Sequence, residues 1–312
     1  MSKNILLFFI LFYSISNLNS QELPINVGNE GAKKISTFKE TSENYEKYFA
    51  TKDIDKKGSG YKPFKRWEYH WSHYLQKDGT IAPAEDLWKA WEQKQKMSKA
   101  SIAISVWSPV GPFAQSSKSG LGRINTIAVD PNNSNIIYVG APAGGLWRSS
   151  DDGLNWTPLT DHLPQIGVSG IAIDPNNSNI IYISTGDDDA GDSYSIGVLK
   201  SMDGGLNWSQ TGIINLGTYQ PSSNEIIIDP NDSNKIWVAT SSGLFFTNNA
   251  GSTWEQKLVG HIRDIKLKPG DSNTIYAVSK NSYYRSDNGG STFSTISNDL
   301  PASSTLGRLR IE

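Results

Sequence analysis

From residue 127 onward, short apolar runs alternate with polar turns in a fixed order. Ile127, Ala128 and Val129 lead into Asp130-Pro131, a turn runs through Asn132, Asn133, Ser134 and Asn135, and an apolar run returns at 136–139. Proline cannot donate into a strand ladder, and an Asn/Ser cluster favours tight turns, so each unit predicts a β-hairpin. The same order recurs at 171–173 with 180–183, at 226–228 with 236–239, and in a more divergent copy at 265–267 with 274–277. A third short run follows each hairpin, as at Leu146, Trp147, Arg148 and Ser149.

Each third run ends in one recurring turn pattern, a hydroxyl residue, then Asp or Asn, then Gly, then an aromatic. The four copies are Ser149, Asp151, Gly153 and Trp156; Ser201, Asp203, Gly205 and Trp208; Thr247, Asn249, Gly251 and Trp254; and Ser286, Asn288, Gly290 and Phe293. Glycine supplies the positive φ of such a turn, the Asp or Asn side chain satisfies turn amides, and the hydroxyl adds a local bond. These sixteen residues are therefore expected to be structural, with the aromatic packed between neighbouring sheets. A period of roughly 40–50 residues built from four short strands predicts the blades of an all-β β-propeller. The blades fall at about 120–163, 164–216, 217–258 and 259–302, with the apolar first strand lining the centre.

Two segments at the margins of this array echo it. Trp107-Ser108-Pro109-Val110 repeats the outer-strand text of Trp156-Thr157-Pro158-Leu159, and Leu306-Gly307-Arg308-Leu309 repeats Leu121-Gly122-Arg123-Ile124. The expectation is a fifth blade beginning near 305, in a larger native ring that continues past residue 312. Closure of such a ring removes the exposed edges that invite aggregation.

The pattern before residue 105 is different. Phe64, Trp67, Trp71 and Tyr74 lie three and four apart and share one helical face, and Pro83 opens a second helix carrying Leu87, Trp88 and Trp91. Residues 21–104 are thus expected to be a helical, aromatic-rich region whose stripe packs on the propeller or a neighbouring domain. Residues 1–20 combine Lys3, an apolar run at 5–12 and a small polar stretch, the layout of a secretory signal peptide cleaved near Ser20. The expected location is outside the cell or on its surface. No later stretch approaches the roughly 20 apolar residues of a membrane helix.

Composition narrows the chemistry. With 29 Lys and Arg against 31 Asp and Glu, the charge balance gives no reason to expect nucleic acid as a partner. The absence of cysteine excludes disulfides, thiolate nucleophiles and cysteine-held metals. Histidine occurs four times; His70 and His73 have a metal-compatible spacing but lack further ligands nearby, so an aromatic helix face is the simpler reading.

Candidate chemistry lies on the loops joining second and third strands, opposite the aromatic-closing turns. The second blade has the longest of these, from Gly186 to Ser195. It carries Asp187, Asp188, Asp189 and Asp192, and clustered carboxylates repel unless solvated or neutralised, so oxygen ligation of Ca2+ by Asp187, Asp189 and Asp192 is one expectation. A solvated acidic loop is the alternative, since the full calcium-loop signature is missing. Asp188, Tyr194 and Arg123 are the ligand-binding candidates, Arg123 because it begins an inner strand next to the central channel.

The residues at 127–140 and 144–156 together resemble the sortilin-like and family 74 glycoside hydrolase propellers with Asp-box (BNR) repeats. The layout is also similar to that of large exported surface proteins of Bacteroidota. The resemblance implies a propeller from about 105 to 312. In xyloglucanase-type relatives a catalytic Asp precedes the Gly-Gly that leads into a third strand; here Pro142 holds that place, and the second acid would come from another propeller. Sialidases need an arginine cluster, for which Arg123-Ile124-Asn125 is the nearest match.

Two functions follow. The first is an exported, non-catalytic module that binds protein, peptide or glycan. The alternative is a xyloglucanase- or sialidase-like hydrolase whose acids lie largely outside this chain. Scaffold alone does not choose between them.

Overall fold

The computed structural model describes residues 38–80, 84–97, 122–187, 193, 195–212, 222–279, 282–296 and 311. The leader at 1–20, the outer-strand echo at 107–110 and the echo at 306–309 lie outside the described residues. The chain divides into two compact units, Met1–Ile81 and Ala82–Glu312.

In the first unit, α1 (Phe38–Phe49) packs on α2 (Tyr61–Ser72). Tyr45 and Phe49 meet Phe64 with ring centroids 4.9 and 5.6 Å apart, and Phe38 stacks on Trp67 at 5.2 Å. Phe64, Trp67 and Trp71 are buried on one stripe, as their spacing requires. Tyr74 does not join them. The helix ends at Ser72, the His73 and Tyr74 amides bond back to His70 and Trp71, and Tyr74 leaves the helical period to stand exposed.

Among the described residues, the second unit holds α3 (Ala84–Lys96) and sixteen strands. Blade 1 consists of β1 (Thr126–Asp130), β2 (Asn133–Ala141), β3 (Gly145–Ser149) and β4 (Thr157–Pro158). Blade 2 consists of β5 (Val168–Ile173), β6 (Ile181–Thr185), β7 (Val198–Ser201) and β8 (Ser209–Gln210). Blade 3 is β9 (Ser223–Asp229), β10 (Asp232–Thr240), β11 (Gly243–Thr247) and β12 (Glu255–Val259); blade 4 is β13 (Ile262–Lys268), β14 (Asp271–Ser279), β15 (Tyr283–Ser286) and β16 (Ser294–Ile296). Each sheet is antiparallel in sequential order, and β1, β5, β9 and β13 are neighbours in turn, so the first strands line the inner side. The architecture is an all-β, propeller-like array.

Three apolar cores lie between consecutive blades. Tyr138 and Leu146 of blade 1 face Ile171, Ile183 and Leu199 of blade 2; Tyr182 and Val198 of blade 2 face Ile226 and Val238 of blade 3; Trp237 and Leu244 of blade 3 face Ile265 and Ile275 of blade 4. The closing aromatic of each turn packs toward the preceding blade, Trp208 in the first core, Trp254 in the second and Phe293 in the third. Trp156 differs, being 38% exposed where Trp208 is 7% exposed, because no described sheet stands in front of blade 1. The aromatic stripe of α3 also finds its partner here. Trp88 is buried in the first core and the Trp91 indole N–H donates to the His162 carbonyl at 3.0 Å.

The turns themselves form as their residue types dictate. Ser149 Oγ accepts the Gly153 amide at 2.8 Å, Asp151 Oδ1 accepts the Asn155 amide at 2.8 Å, and the bonds repeat at Ser201 with Gly205 and at Asp203 with Asn207, both 2.8 Å. Thr247 and Ser286 hold Gly251 and Gly290 in the same way, with Asn249 and Asn288 in the acidic position. Gly205 sits at φ +94°, and a Cβ there would come within 2.7 Å of Leu159 Cδ1 on the previous blade.

A second tie, absent from the sequence reading, joins the hairpins of adjacent blades. Ser178 Oγ donates to Asp130 Oδ1 at 2.6 Å and accepts from Asn132 Nδ2 at 3.0 Å. Ser233 makes the same bonds with Asp174 and Asn176, at 2.6 and 3.0 Å, and Ser272 with Asp229 and Asn231, at 2.7 and 3.0 Å. Asp130, Asp174 and Asp229 are buried, so this serine clasp satisfies carboxylates that would otherwise be costly to desolvate.

Candidate ligand-binding rim

The register of the hairpins fixes which segments share an end of the array. Thr126 pairs with Gly140 and Val168 with Thr185, so 122–125, 141–145, 186–187 and 195–197 lie together at one end. Asp130 pairs with Asn133 at the other, beside the glycine turns. The first end is the rim on which the sequence places ligand contacts.

Two of the candidate residues meet there. Asp187, which follows β6, has a wholly buried side chain whose Oδ2 accepts from Arg123 Nη2 at 2.6 Å. Asn125 Nδ2 lies 3.4 Å from its other oxygen. Arg123 and Asn125 belong to the entry of β1, so the pair bridges blades 1 and 2. A carboxylate taken out of water is retained at little cost only when paired and hydrogen-bonded, and a charge-assisted bond of this length meets that condition.

The base of the 186–195 insertion is pinned on both sides. Within blade 2, the Gly186 amide donates to Gly167 O at 3.1 Å and the Asp187 amide to Ser193 O at 2.9 Å; toward blade 1, Ser193 Oγ donates to Pro142 O at 2.8 Å. Toward blade 3, Thr185 Oγ1 lies 3.0 Å from Ser195 Oγ, which lies 2.9 Å from Ser223 Oγ. Asn125, Ser193, Ser195 and Ser223 were not singled out by sequence reasoning, since nothing in the local text links hydroxyls from different blades.

Asp188, Asp189, Asp192 and Tyr194 lie outside the described residues, so the expected calcium ligands are not brought together by any observed contact. Both oxygens of Asp187 face protein donors, and a cation there would have to displace Arg123. Among the described residues no group of three or more His, Asp or Glu is arranged to hold a metal ion. His73 Nδ1 is 2.7 Å from the Tyr69 carbonyl, a local helix-end contact. Pro142 is buried beside the Gly144-Gly145 turn and offers a carbonyl where the resemblance places an acid. The rim as described therefore holds a partly exposed arginine already paired with Asp187, and it does not present a free acid at Asp187.

No family model matches the chain. It is 50% identical over 42 residues to a xyloglucanase of Hypocrea jecorina (strain QM6a), a stretch covering 13% of this chain and 5% of that protein. It is 54% identical over 35 residues to a xyloglucanase of Paenibacillus sp, covering 11% of this chain and 3% of that protein. The crystal structure of an ancestral GH74 enzyme superposes with a TM-score of 0.50 at 24% identity, over 64% of this chain and 26% of that one. The chain thus spans a small part of the xyloglucanases it matches. The likeness establishes a glycoside-hydrolase-74-like propeller fold. Among the described residues no helix is long and apolar enough to cross a membrane.

Proposed function

We propose that the chain is the glycan-holding part of an exported carbohydrate-active propeller of the family 74 glycoside hydrolase type, taking a xyloglucan-like β-glucan at the rim around Arg123. The observation that carries this reading is local identity to two xyloglucanases, 50% over 42 residues and 54% over 35 residues, on a GH74-like fold. The amino-terminal leader pattern supports export. Compensation of Arg123 by the buried Asp187 supports a neutral glycan over an acidic one, because a sugar carboxylate would have to compete with a carboxylate already in place.

Cleavage by inversion needs two carboxyls about 6.5–9.5 Å apart, one raised in pKa to act as the acid. Pro142 and the paired Asp187 do not meet that need. Binding is accordingly the role of this chain, and hydrolysis by the whole protein would draw on acids elsewhere. Calorimetry with soluble xyloglucan, together with a reducing-sugar assay, tests both parts. Binding without sugar release is expected, weakened about tenfold by Arg123→Ala, the worth of one or two charge-assisted bonds. Absence of binding to xyloglucan overturns the glycan reading, and sugar release overturns the division of labour.

A further inference from the structure

The outward face of blade 1 is an apolar sheet face without a described neighbour. Ile127 is 67% exposed, whereas its counterparts Ile171, Ile226 and Ile265 are 7%, 1% and 0% exposed. Val129 is half exposed and Trp156 uncovered on the same side. Three times within this molecule that face is covered in one manner, by a sheet carrying Tyr or Trp on its second strand and by the serine clasp. The clasp has a direction. One blade gives Asp and, two residues on, Asn; the next receives with a serine from its hairpin.

Ser134 stands where Ser178, Ser233 and Ser272 stand, four residues after Asp130 as they are four residues after Asp174, Asp229 and Lys268. It is exposed and makes no side-chain bond among the described residues. Blade 1 therefore has the receiving half of the clasp. At the opposite end of the array, blade 4 has lost the giving half, with Lys268 in place of the Asp and Gly270 in place of the Asn. Lys268 turns instead to Asp271, 3.6 Å away. We infer that the outward face of blade 1, marked by Ser134, is a docking face for one further four-stranded repeat whose first hairpin carries Asp-Pro-Asn, and that blade 4 of a second copy is excluded from it. Two observations specify this occupant. The apolar row demands a sheet of the kind that covers Ile171, and Ser134 demands a carboxylate to donate to and an amide to accept from. Neither depends on the glycan proposal.

The missing half can be supplied. Lys268→Asp/Gly270→Asn gives blade 4 the Asp-Pro-Asn hairpin, and Asn is among the residues that tolerate the φ of +77° found at Gly270. Ile127→Glu/Val129→Glu in the same chain blocks its own receiving face. Mixed with the unaltered chain, this donor should form a one-to-one complex in sedimentation velocity, and Ser134→Ala in the acceptor should weaken it at least about tenfold. No complex with a folded donor, a complex indifferent to Ser134→Ala, or head-to-tail dimers of the unaltered chain would each overturn the inference. If the donor does not fold, melting of single variants decides. Ser178→Ala, Ser233→Ala and Ser272→Ala should each lower Tm by several degrees and Ser134→Ala should not; an equal drop at Ser134 would mean that it already has its partner, and the inference fails.

Discussion

The two ends of the blade array are made of the same strands and obey different rules. At the hairpin end, four turns repeat one bond pattern with distances that agree to within a few tenths of an ångström, and three clasps repeat another. At the rim, blades 2, 3 and 4 share one bond from the hydroxyl that ends the second strand, Thr185 to Gly197 O, Thr240 to Gly243 O and Ser279 to Ser282 O, but the loops themselves differ in length and content. Blade 1 has Pro142, blade 2 an insertion pinned through Asp187, and blade 3 a tight turn in which Thr240 Oγ1 donates to Gly243 O at 2.9 Å. Repetition marks what every blade needs in order to stand beside its neighbour. Divergence marks the end where ligand contacts are free to differ, which is why Arg123 and Asp187, and not the acidic turn residues, make up the candidate site.

The comparison breaks most visibly if the turn aromatics are removed. Trp208 fills the core between blades 1 and 2, and Trp208→Ala should cost about 3–5 kcal/mol in chemical denaturation, the usual loss for a buried aromatic. Trp156→Ala, in the same motif, should cost under about 1 kcal/mol, as expected for a site outside a packed core. Equal losses would show that the aromatics act within their own turns rather than between sheets.

At the rim, Asp187→Ala should cost about 1–3 kcal/mol, the penalty for leaving a charged partner without its acceptor, softened because Arg123 can turn to water. Arg123→Ala in the Asp187→Ala background should add little, and a double-mutant cycle measures the coupling. Additive losses would mean that the pair does not hold the two blades together.

Much of this was legible from residue order. Asp-Pro followed by Asn and Ser specifies a hairpin through local chemistry, and the aromatic-closing turns carry their own hydrogen bonds, so both appear where the text places them. The spacing of Trp88 and Trp91 gave a helix, and their burial against blade 1 fulfilled a packing stripe. What escaped was whatever depends on a neighbour distant in sequence. Trp156 and Trp208 sit in identical motifs, and only the presence of a preceding sheet separates them. Asp187 read as a calcium ligand because its neighbours are acidic; the arginine that claims it lies 64 residues upstream. The clasp had a usable signal, the coincidence of Asp-Pro-Asn in three repeats with its replacement by Lys268-Pro269-Gly270 in the fourth. Each residue alone looked like ordinary turn composition.

Glycine at the turns offers a smaller and more local test of the same contrast. Gly205→Ala forces a side chain into left-handed geometry and toward Leu159, with an expected cost above the about 1–2 kcal/mol of the backbone conformation alone. Gly153→Ala shares the positive φ, while the nearest atom to its added Cβ is the Trp156 ring at 3.7 Å. Its cost should be that of the backbone alone, so the difference between the two variants reads the contact between blades.

The smallest effect distinguishes the turns from one another by pH. Asp151 is held below the ordinary carboxylate value of 3.8 by the Asn155 side chain and amide and by Ser149, and Asp203 likewise by Asn207 and, less, by Ser201. A carboxylate whose folded pKa is depressed contributes stability that is present above its unfolded pKa and disappears as pH falls through the folded value. Melting temperature should therefore decline below about pH 4 in part through these two turns. Blades 3 and 4 use Asn249 and Asn288 at the same place, where no proton is taken up. Asp151→Asn/Asp203→Asn should consequently flatten the acid limb of the Tm profile while leaving Tm near neutrality little changed. An acid limb of unaltered slope would show that these two turns are not the acid-sensitive element of the array.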